Sequence, residues 1–553
     1  MKTLNNKIRI SLAAISFMIA VLFCSCNDWL TLSPEDGVTK DDYWTTKEEV
    51  YASLMGCYSA MIVDGMPEQM FLWGELRGET LMPNILPDRV QNIMDGDITS
   101  TNAITSWKLF YTVINQCNTL IQFAYQAQKS DDSFTDALLA QYQSEAIAIR
   151  SLMYFYLVRT FKDVPYITEA IVSDDQVLQI EKSDGSVVLD SLLHSLELAA
   201  PKMATRFGSD PALNKGRFTA YGVYSLLADI YLWKEDYDGC IRNCDRVINS
   251  GQVSLLYADG SNRYQVETNN AITGQLDTVY YVLESEASNF FQELYVNGNS
   301  DESIFELQRE TDFSNVDYYE MFYASGFFFA RVDVLKELYF IPSEVDRTWY
   351  DIRSEGISYK GNYIWKHLGL MREGVAFSNM RTRETMTGNT IIYRLADIML
   401  LKAEALVQKA KILEGDDSNV ASDEVSNLLG GAWTIVKAIR DRSNATEATD
   451  LFYGINDKSG LSVSTMEKFV YEERIREFTF EGKRWFDALR HAKRNNYEGN
   501  NLDYLNQMAI YGASAAKVSN LQKKYKNKDF HYLPINQSEL NANKKLVQNP
   551  FYL

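Results

Sequence analysis

Residues 217–251 read RFTAYGVYSLLADIYLWKEDYDGCIRNCDRVINSG, and this stretch decides the fold. Tyr224 and Tyr231 have the spacing of two aromatic positions in the first helix of a tetratricopeptide repeat. Cys240 occupies the small-residue position of the second helix, where the two helices approach closely, and Gly251 ends that helix. The stretch therefore predicts an antiparallel pair of helices.

One such pair cannot bury its own apolar faces, so further helices must stack on it. Helical periodicity also dominates residues 107–161, and it returns from residue 390 onwards. Between these regions glycine, asparagine and aromatic residues become frequent and the periodicity fades. The sequence predicts a mostly α-helical protein, a tetratricopeptide-like scaffold formed by residues 26–251 and 390–553 with an inserted loop-rich region at 252–389.

The first 25 residues have the pattern of an export signal. Residues 10–23 are almost wholly apolar, but about 14 residues are too few for a helix that spans a bilayer, which needs about 20. The small Ser25 before Cys26 favours cleavage there by a lipoprotein signal peptidase, whereas bulky Phe23 disfavours Cys24. We expect Cys26 to carry the lipid anchor of the mature chain; the alternative is a plain secretory signal.

The composition argues against a nucleic-acid partner and allows a large hydrophobic core. A net charge of −20 repels phosphate backbones, so we expect no nucleic-acid partner. Hydrophobic residues make up 46% of the chain, which is enough for a large core.

The cysteines after the anchor are Cys57, Cys117, Cys240 and Cys244. We interpret them as buried, inert thiols, because metal ligation would need more soft ligands nearby. No metal or other cofactor is predicted.

No common catalytic motif is present: there is no zinc-protease His-Glu-x-x-His, no serine nucleophile elbow and no phosphate-binding glycine loop. A charged cluster at residues 472–490 places acids and bases three and four positions apart, which on a helix favours a structural ion-pair network. Carboxylates are plentiful, so the pair needed by a glycoside hydrolase stays open at this point. We nevertheless predict that the protein is not an enzyme.

Further segments carry a resemblance that spans nearly the whole chain after the signal. They are, in order, Cys26-Asn27-Asp28-Trp29-Leu30, Trp73-Gly74-Glu75-Leu76-Arg77-Gly78-Glu79, Phe161-Lys162-Asp163-Val164-Pro165, Tyr393-Arg394-Leu395-Ala396-Asp397-Ile398-Met399-Leu400 and Leu533-Pro534-Ile535. Together they resemble the SusD/RagB family of nutrient-binding outer-membrane lipoproteins of Bacteroidetes. Lys162 stands where that family usually has glycine.

The resemblance implies binding and not catalysis. Family members sit on the cell surface over a SusC-like TonB-dependent transporter, and they deliver oligosaccharides, or in some cases peptides, to it. It also implies a tetratricopeptide scaffold that faces the transporter and a loop-rich subdomain that forms the ligand site. Two alternatives remain: a lipid-anchored scaffold that binds only proteins, and, as the weaker one, a glycoside hydrolase.

Sugars offer apolar C–H faces to aromatic rings and hydroxyl groups to polar side chains, so both kinds of residue on loops are candidates for a ligand site. Two segments, 70–97 and 280–349, are rich in them. The candidate ligand residues are Trp73, Arg77, Asn84, Arg89, Tyr281, Phe291, Tyr295 and Tyr319. Phe327-Phe328-Phe329 either shapes a pocket or fills one.

Overall fold

The computed structural model describes residues 43–173, 176, 179–256, 264–269, 276–281, 290–309, 316–323, 325–339, 351–372, 375–381, 388–416, 422–443, 445, 461–497 and 502–553. The signal segment and Cys26 lie outside these ranges. Within them, no helix combines the length and the apolar character that crossing a membrane requires.

The protein is mostly helical, as predicted. The α-helices that the structure describes are α1 (Lys47–Ala60), α2 (Met66–Glu75), α3 (Asp88–Met94), α4 (Lys108–Ser130), α5 (Asp136–Phe161), α6 (Gly185–Ala199), α7 (Pro211–Gly216), α8 (Ala220–Trp233), α9 (Tyr237–Ile248), α10 (Val316–Glu320), α11 (Val332–Tyr339), α12 (Trp365–Leu368), α13 (Leu395–Asp416), α14 (Ser422–Arg442), α15 (Val463–Phe478), α16 (Arg484–Lys493), α17 (Asp503–Gly512), α18 (Val518–Tyr525) and α19 (Gln537–Ala542).

Short strands lie mainly between the two helical parts, and those that the structure describes pair as antiparallel two-stranded ribbons. They are β1 (Leu81–Pro83), β2 (Tyr264–Asn269), β3 (Leu276–Tyr281), β4 (Ser303–Leu307), β5 (Phe328–Ala330), β6 (Tyr359–Lys360), β7 (Tyr363–Ile364), β8 (Gly369–Arg372), β9 (Val375–Met380) and β10 (Thr390–Arg394). The domain limits at residues 251 and 389 stay a prediction.

The predicted helix pair is α8 and α9. Thr219 caps the first helix by accepting the N–H of Gly222, and Asp236 caps the second by accepting the N–H of Gly239 at 2.8 Å. A Cβ on Gly239 would lie 2.5 Å from the ring of Tyr231, so Gly239 provides the close approach of the two helices. Cys240, predicted for that role, instead faces α13, where its Sγ lies 3.8 Å from a carbonyl oxygen.

Further helices stack on this pair in both directions. On one side α8 packs against α6, α6 against α5, and α5 against α4, which confirms residues 107–161 as part of the same layer. On the other side α9 packs against α13, and α13 packs against α14 and α15. The helical scaffold therefore continues from the N-terminal part of the chain into the C-terminal part.

A glycine contact joins α2 to the turn after α15. A Cβ on Gly74 would lie 1.7 Å from the carbonyl oxygen of Gly482, so only glycine allows this approach. Next to it, the buried Glu75 carboxylate accepts the N–H groups of Phe480 and Gly482, each at 3.1 Å, and the hydroxyl of Thr80 at 3.2 Å. Burial raises the pKa of Glu75 to about 7. This contact ties residues that are about 400 positions apart.

The charged cluster at residues 472–490 forms a buried ion-pair network, as predicted, but its main pairs join distant segments and not only residues three and four positions apart. Glu477 accepts hydrogen bonds from Arg353 at 2.7 Å and Arg394 at 2.5 Å, and from Arg442. Burial alone would raise the pKa of Glu473, but the guanidinium groups around it, with that of Arg353 first, outweigh burial and lower it to about 2. The cluster holds α15 against its neighbours.

The thiols of Cys57, Cys117, Cys240 and Cys244 are buried and unpaired by disulfides, as predicted. Burial raises the pKa of Cys117 and Cys240, which keeps both groups protonated. Within the described ranges, no group of three or more histidine, cysteine or acidic side chains has the geometry to hold a metal ion.

Candidate ligand-binding site

The ribbon formed by β1 and β5 brings two distant segments together at the protein surface. Leu81 pairs with Ala330 and Met82 with Phe329, in antiparallel register. Beyond the ribbon the pairing continues, since the N–H of Asn84 donates to the carbonyl oxygen of Phe327 at 2.9 Å. The predicted segment 70–97 is thereby fixed to the chain around residue 327.

Strand alternation divides the three phenylalanines of residues 327–329. Phe328 is fully buried in the core, while Phe327 and Phe329 point to the other face and are only partly buried. One ring of the triplet therefore packs in the core and two rings reach the surface, and a role of the triplet at a ligand pocket stays a prediction. We define the β1–β5 surface as Asn84, Ile85, Arg89, Phe327, Phe329 and Tyr363.

The aromatic part of this surface is held by contacts between its own rings. The rings of Phe329 and Tyr363 meet edge to face, with centroids 5.7 Å apart. The turn between β6 and β7 brings Tyr363 there: Gly361 adopts a φ of 58°, and the carbonyl oxygen of Asn362 accepts the N–H of Ala330 at 2.8 Å. Ile85, whose N–H donates to the carbonyl oxygen of Gly326 at 3.3 Å, is 61% exposed.

The polar part of the surface is fixed as well. The Asn84 side chain donates to the carbonyl oxygen of Gly326 at 2.9 Å. Arg89 places its guanidinium 5.6 Å from the ring centroid of Phe327 and donates to Glu68 at 3.0 Å, yet 39% of its side chain remains exposed. Apolar rings next to preoriented amide and guanidinium groups form the combination that a sugar ring needs.

Two other predicted residues, Tyr295 and Tyr319, lie at a separate cavity. It has about 460 Å³ of free space, including the part open to solvent. We name it the Arg381 pocket and define it by Tyr295, Tyr319, Lys366, Arg381, Asn389 and Glu481. The Tyr319 hydroxyl donates to the carbonyl oxygen of Gly388 at 2.8 Å, and that of Tyr295 donates to Glu481 at 3.1 Å.

Three predicted ligand residues lie in the core instead of at a surface. Trp73 is 2% exposed, stacks on Phe110 at 4.4 Å and donates its indole N–H to the carbonyl oxygen of Ile104. Arg77 lies 3.6 Å above the ring of Trp485, and burial lowers its pKa to about 10. Phe291 is fully buried. Because their faces are occupied by protein, we place no ligand on these three side chains.

The backbone of Tyr281 belongs to β3, and its side chain lies outside the described residues. Sequence reasoning did not select Ile85, Tyr363 or Arg381, and it named Phe329 only as part of the triplet 327–329. Alternation of the three phenylalanines could have identified Phe329, since residues two apart in a strand share a face. Nothing in the sequence marks Arg381, because its neighbours come from distant segments.

Two family models match the chain. The SusD family matches residues 345–552, and a family described as "Starch-binding associating with outer membrane" matches residues 74–232. Two relatives from Formosa agariphila are each 24% identical to the chain. SusD-like protein P38 aligns over 87% of this chain and 91% of its own length, and SusD-like protein P2 over 88% and 92%.

Solved structures show the same fold. A SusD superfamily protein from Bacteroides vulgatus superposes with a TM-score of 0.65 at 18% identity, covering 92% of this chain and 99% of its own. NanU from Bacteroides fragilis superposes with a TM-score of 0.62 at 19% identity, covering 94% and 100%.

Proposed function

We propose, because the chain belongs to the SusD-like family, that it binds oligosaccharides at the cell surface and delivers them to a partner TonB-dependent transporter in the outer membrane. The description of the second matching family, which names starch binding and the outer membrane, supports this proposal. Proteins of this family bind ligands and are not enzymes, so we expect no turnover of the bound glycan.

The observation that carries the proposal is the β1–β5 surface. Phe327 lies beside the partly exposed Arg89, and the Asn84 side chain is fixed at the preceding residue, Gly326. Phe329 is partly exposed and contacts Tyr363. Side chains that are already held by hydrogen bonds or ring contacts lose little conformational freedom when a ligand binds. We therefore place the oligosaccharide across this surface.

Replacing Phe327 and Phe329 together by alanine is expected to weaken oligosaccharide binding at least about 10-fold, because the ligand loses both apolar planes. A glycan array with the purified chain identifies a ligand, and titration calorimetry then measures the dissociation constant for both proteins. Peptide libraries are screened in parallel, since the resemblance also allows peptide ligands.

The matched control is Tyr125→Ala. Tyr125 is an aromatic residue of α4 that is 44% exposed, and its substitution should leave the dissociation constant unchanged. Equal affinities for the double variant and this control would remove the β1–β5 surface from the proposal. Hydrolysis of the ligand by the pure protein, or a scaffold that captures only proteins, would contradict the function itself.

We propose further that acylation of Cys26 anchors the protein to the outer membrane, facing the cell exterior. Several acyl chains together hold a protein firmly to a bilayer. Cys26→Ala should release the protein from the membrane fraction and abolish palmitate labelling, whereas Cys24→Ala should do neither. Protease treatment of intact cells tests the orientation, since full protection would contradict surface display, and co-purification of a large barrel protein tests the transporter partner.

A further inference from the structure

The Arg381 pocket holds a buried cation that no carboxylate of the described residues neutralises. Arg381 is 2% exposed, and its guanidinium is fixed by two carbonyl oxygens: Nε donates to Gly369 at 2.8 Å and Nη2 to Lys366 at 3.1 Å. No acidic side chain of the described residues forms an ion pair with it. Burial lowers the pKa of Arg381 to about 10, which leaves the group charged at neutral pH.

The remaining nitrogen of this guanidinium lies at the wall formed by Gly388. A Cβ on Gly388 would lie 2.8 Å from Nη1 of Arg381, so a glycine at position 388 leaves space beside this nitrogen. Among the described residues, Nη1 has no hydrogen-bond acceptor. An arginine N–H without a protein acceptor can donate to a molecule that enters the pocket.

A second guanidinium adds to this positive charge. Arg309 donates to Thr390, which also lines the pocket, while its Nε and Nη1 are buried without hydrogen-bond partners. It too forms no ion pair with a carboxylate of the described residues. The pKa of His367 responds to this charge: burial lowers it first, the positive charges of Arg381, Lys366 and Arg309 lower it further, and it falls to about 3.

The acid of the pocket is already neutralised. Glu481 accepts hydrogen bonds from Lys366 at 2.8 Å, from Arg394 at 2.9 Å and from Tyr295 at 3.1 Å. Lys366 and Arg394 are thereby paired, and Arg381 and Arg309 are the cations left around the pocket among the described residues.

We propose that the Arg381 pocket binds an anionic group of the ligand, a carboxylate or a sulfate ester, through Nη1 of Arg381. A guanidinium and an oxyanion form charge-assisted hydrogen bonds, which are stronger than neutral ones. This inference rests on the proposed function and narrows the ligand to an acidic saccharide, such as one containing uronic acid or sulfated sugar.

The first experiment titrates the purified mature chain with sodium glucuronate and with glucose 6-sulfate, each against glucose at equal ionic strength. We expect the charged sugars to raise the thermal midpoint and to bind at least about 10-fold more tightly than glucose. Binding of glucuronate alone assigns a carboxylate, and binding of the sulfate alone assigns a sulfate ester. If neither binds better than glucose, the inference is overturned.

The second experiment compares Arg381→Gln with Arg242→Gln, which removes the same charge from an exposed position on α9. We expect the first variant to lose at least about 10-fold in affinity for the charged sugar, and the second to lose none. Unchanged binding in Arg381→Gln contradicts the inference. If that variant does not fold, Arg381→Lys replaces it, since it keeps the charge but not the guanidinium's paired donors.

The outcomes separate this inference from the proposed function. The double variant of Phe327 and Phe329 should still bind the charged monosaccharide in the Arg381 pocket. A neutral oligosaccharide that binds at the β1–β5 surface, with no preference for charged sugars, would leave the proposed function intact and overturn the inference. Binding of the charged sugar without any oligosaccharide ligand would support the anion site in the Arg381 pocket and contradict the proposed binding of oligosaccharides.

Discussion

Replacing Glu477 by glutamine is expected to lower the free energy of unfolding by about 3–5 kcal/mol. The Glu477 carboxylate is 1% exposed and is shared by the guanidinium groups of Arg353, Arg394 and Arg442. Glutamine has the same shape but no charge, and its amide nitrogen would face donors instead of accepting from them. Removing one member leaves buried positive charges without their partner, which is the most unfavourable way to change such a network.

The matched control lies on the same helix. Glu472 is 25% exposed, and its ion pairs with Lys468 and Arg476 are long, at 3.8 and 3.9 Å. Glu472→Gln should therefore change the stability by less than about 0.5 kcal/mol. Urea denaturation followed by far-ultraviolet circular dichroism measures both variants. A Glu477→Gln protein as stable as Glu472→Gln would show that the network contributes little to the fold.

The helical scaffold was predictable because its signals are local. Tyr224 and Tyr231 carry the repeat pattern within one helix. Within residues 472–490, Arg476 pairs with Glu473 and Arg490 with Asp487 at three-residue spacing, whereas Glu477 pairs with distant arginines. The small-residue position shows the limit of such reasoning. Cys240 fits the pattern, but the ring of Tyr231 meets Gly239, because the exact rotation of one helix against the other depends on packing with α13.

The candidate site was less predictable, because aromatic and cationic residues serve core and surface alike. Trp73 and Asn84 belong to one predicted segment, yet the first stacks on Phe110 in the core and the second lies at the β1–β5 surface. Composition is similar in both places, and only the partners differ. The Arg381 pocket was invisible for a related reason: its walls come from segments between residues 295 and 481, which only the folded chain brings together.

A second large loss of stability is expected from a substitution at the contact between α2 and the turn after α15. Gly74→Ala is expected to lower the free energy of unfolding by about 3 kcal/mol or more, because the new Cβ would lie 1.7 Å from a backbone carbonyl oxygen of Gly482. No side chain can rotate to relieve this overlap. The turn itself is constrained, since Phe480 and Gly482 adopt φ values of 67° and 70° and both donate to Glu75.

Gly56→Ala is the comparison that isolates the steric contact. Gly56 also lies within a helix, α1, but its added Cβ would meet no atom within 4 Å. Alanine favours a helix over glycine by about 0.5–1 kcal/mol, so this variant should be more stable than the unmodified chain. The same intrinsic gain applies at Gly74, so any loss measured there by urea denaturation arises from the contact with Gly482. Equal stabilisation of both variants would mean that α2 and the turn do not touch. A selective loss at Gly74 would show that this backbone contact, like the hydrogen bonds to Glu75, holds the N-terminal and C-terminal parts of the chain together.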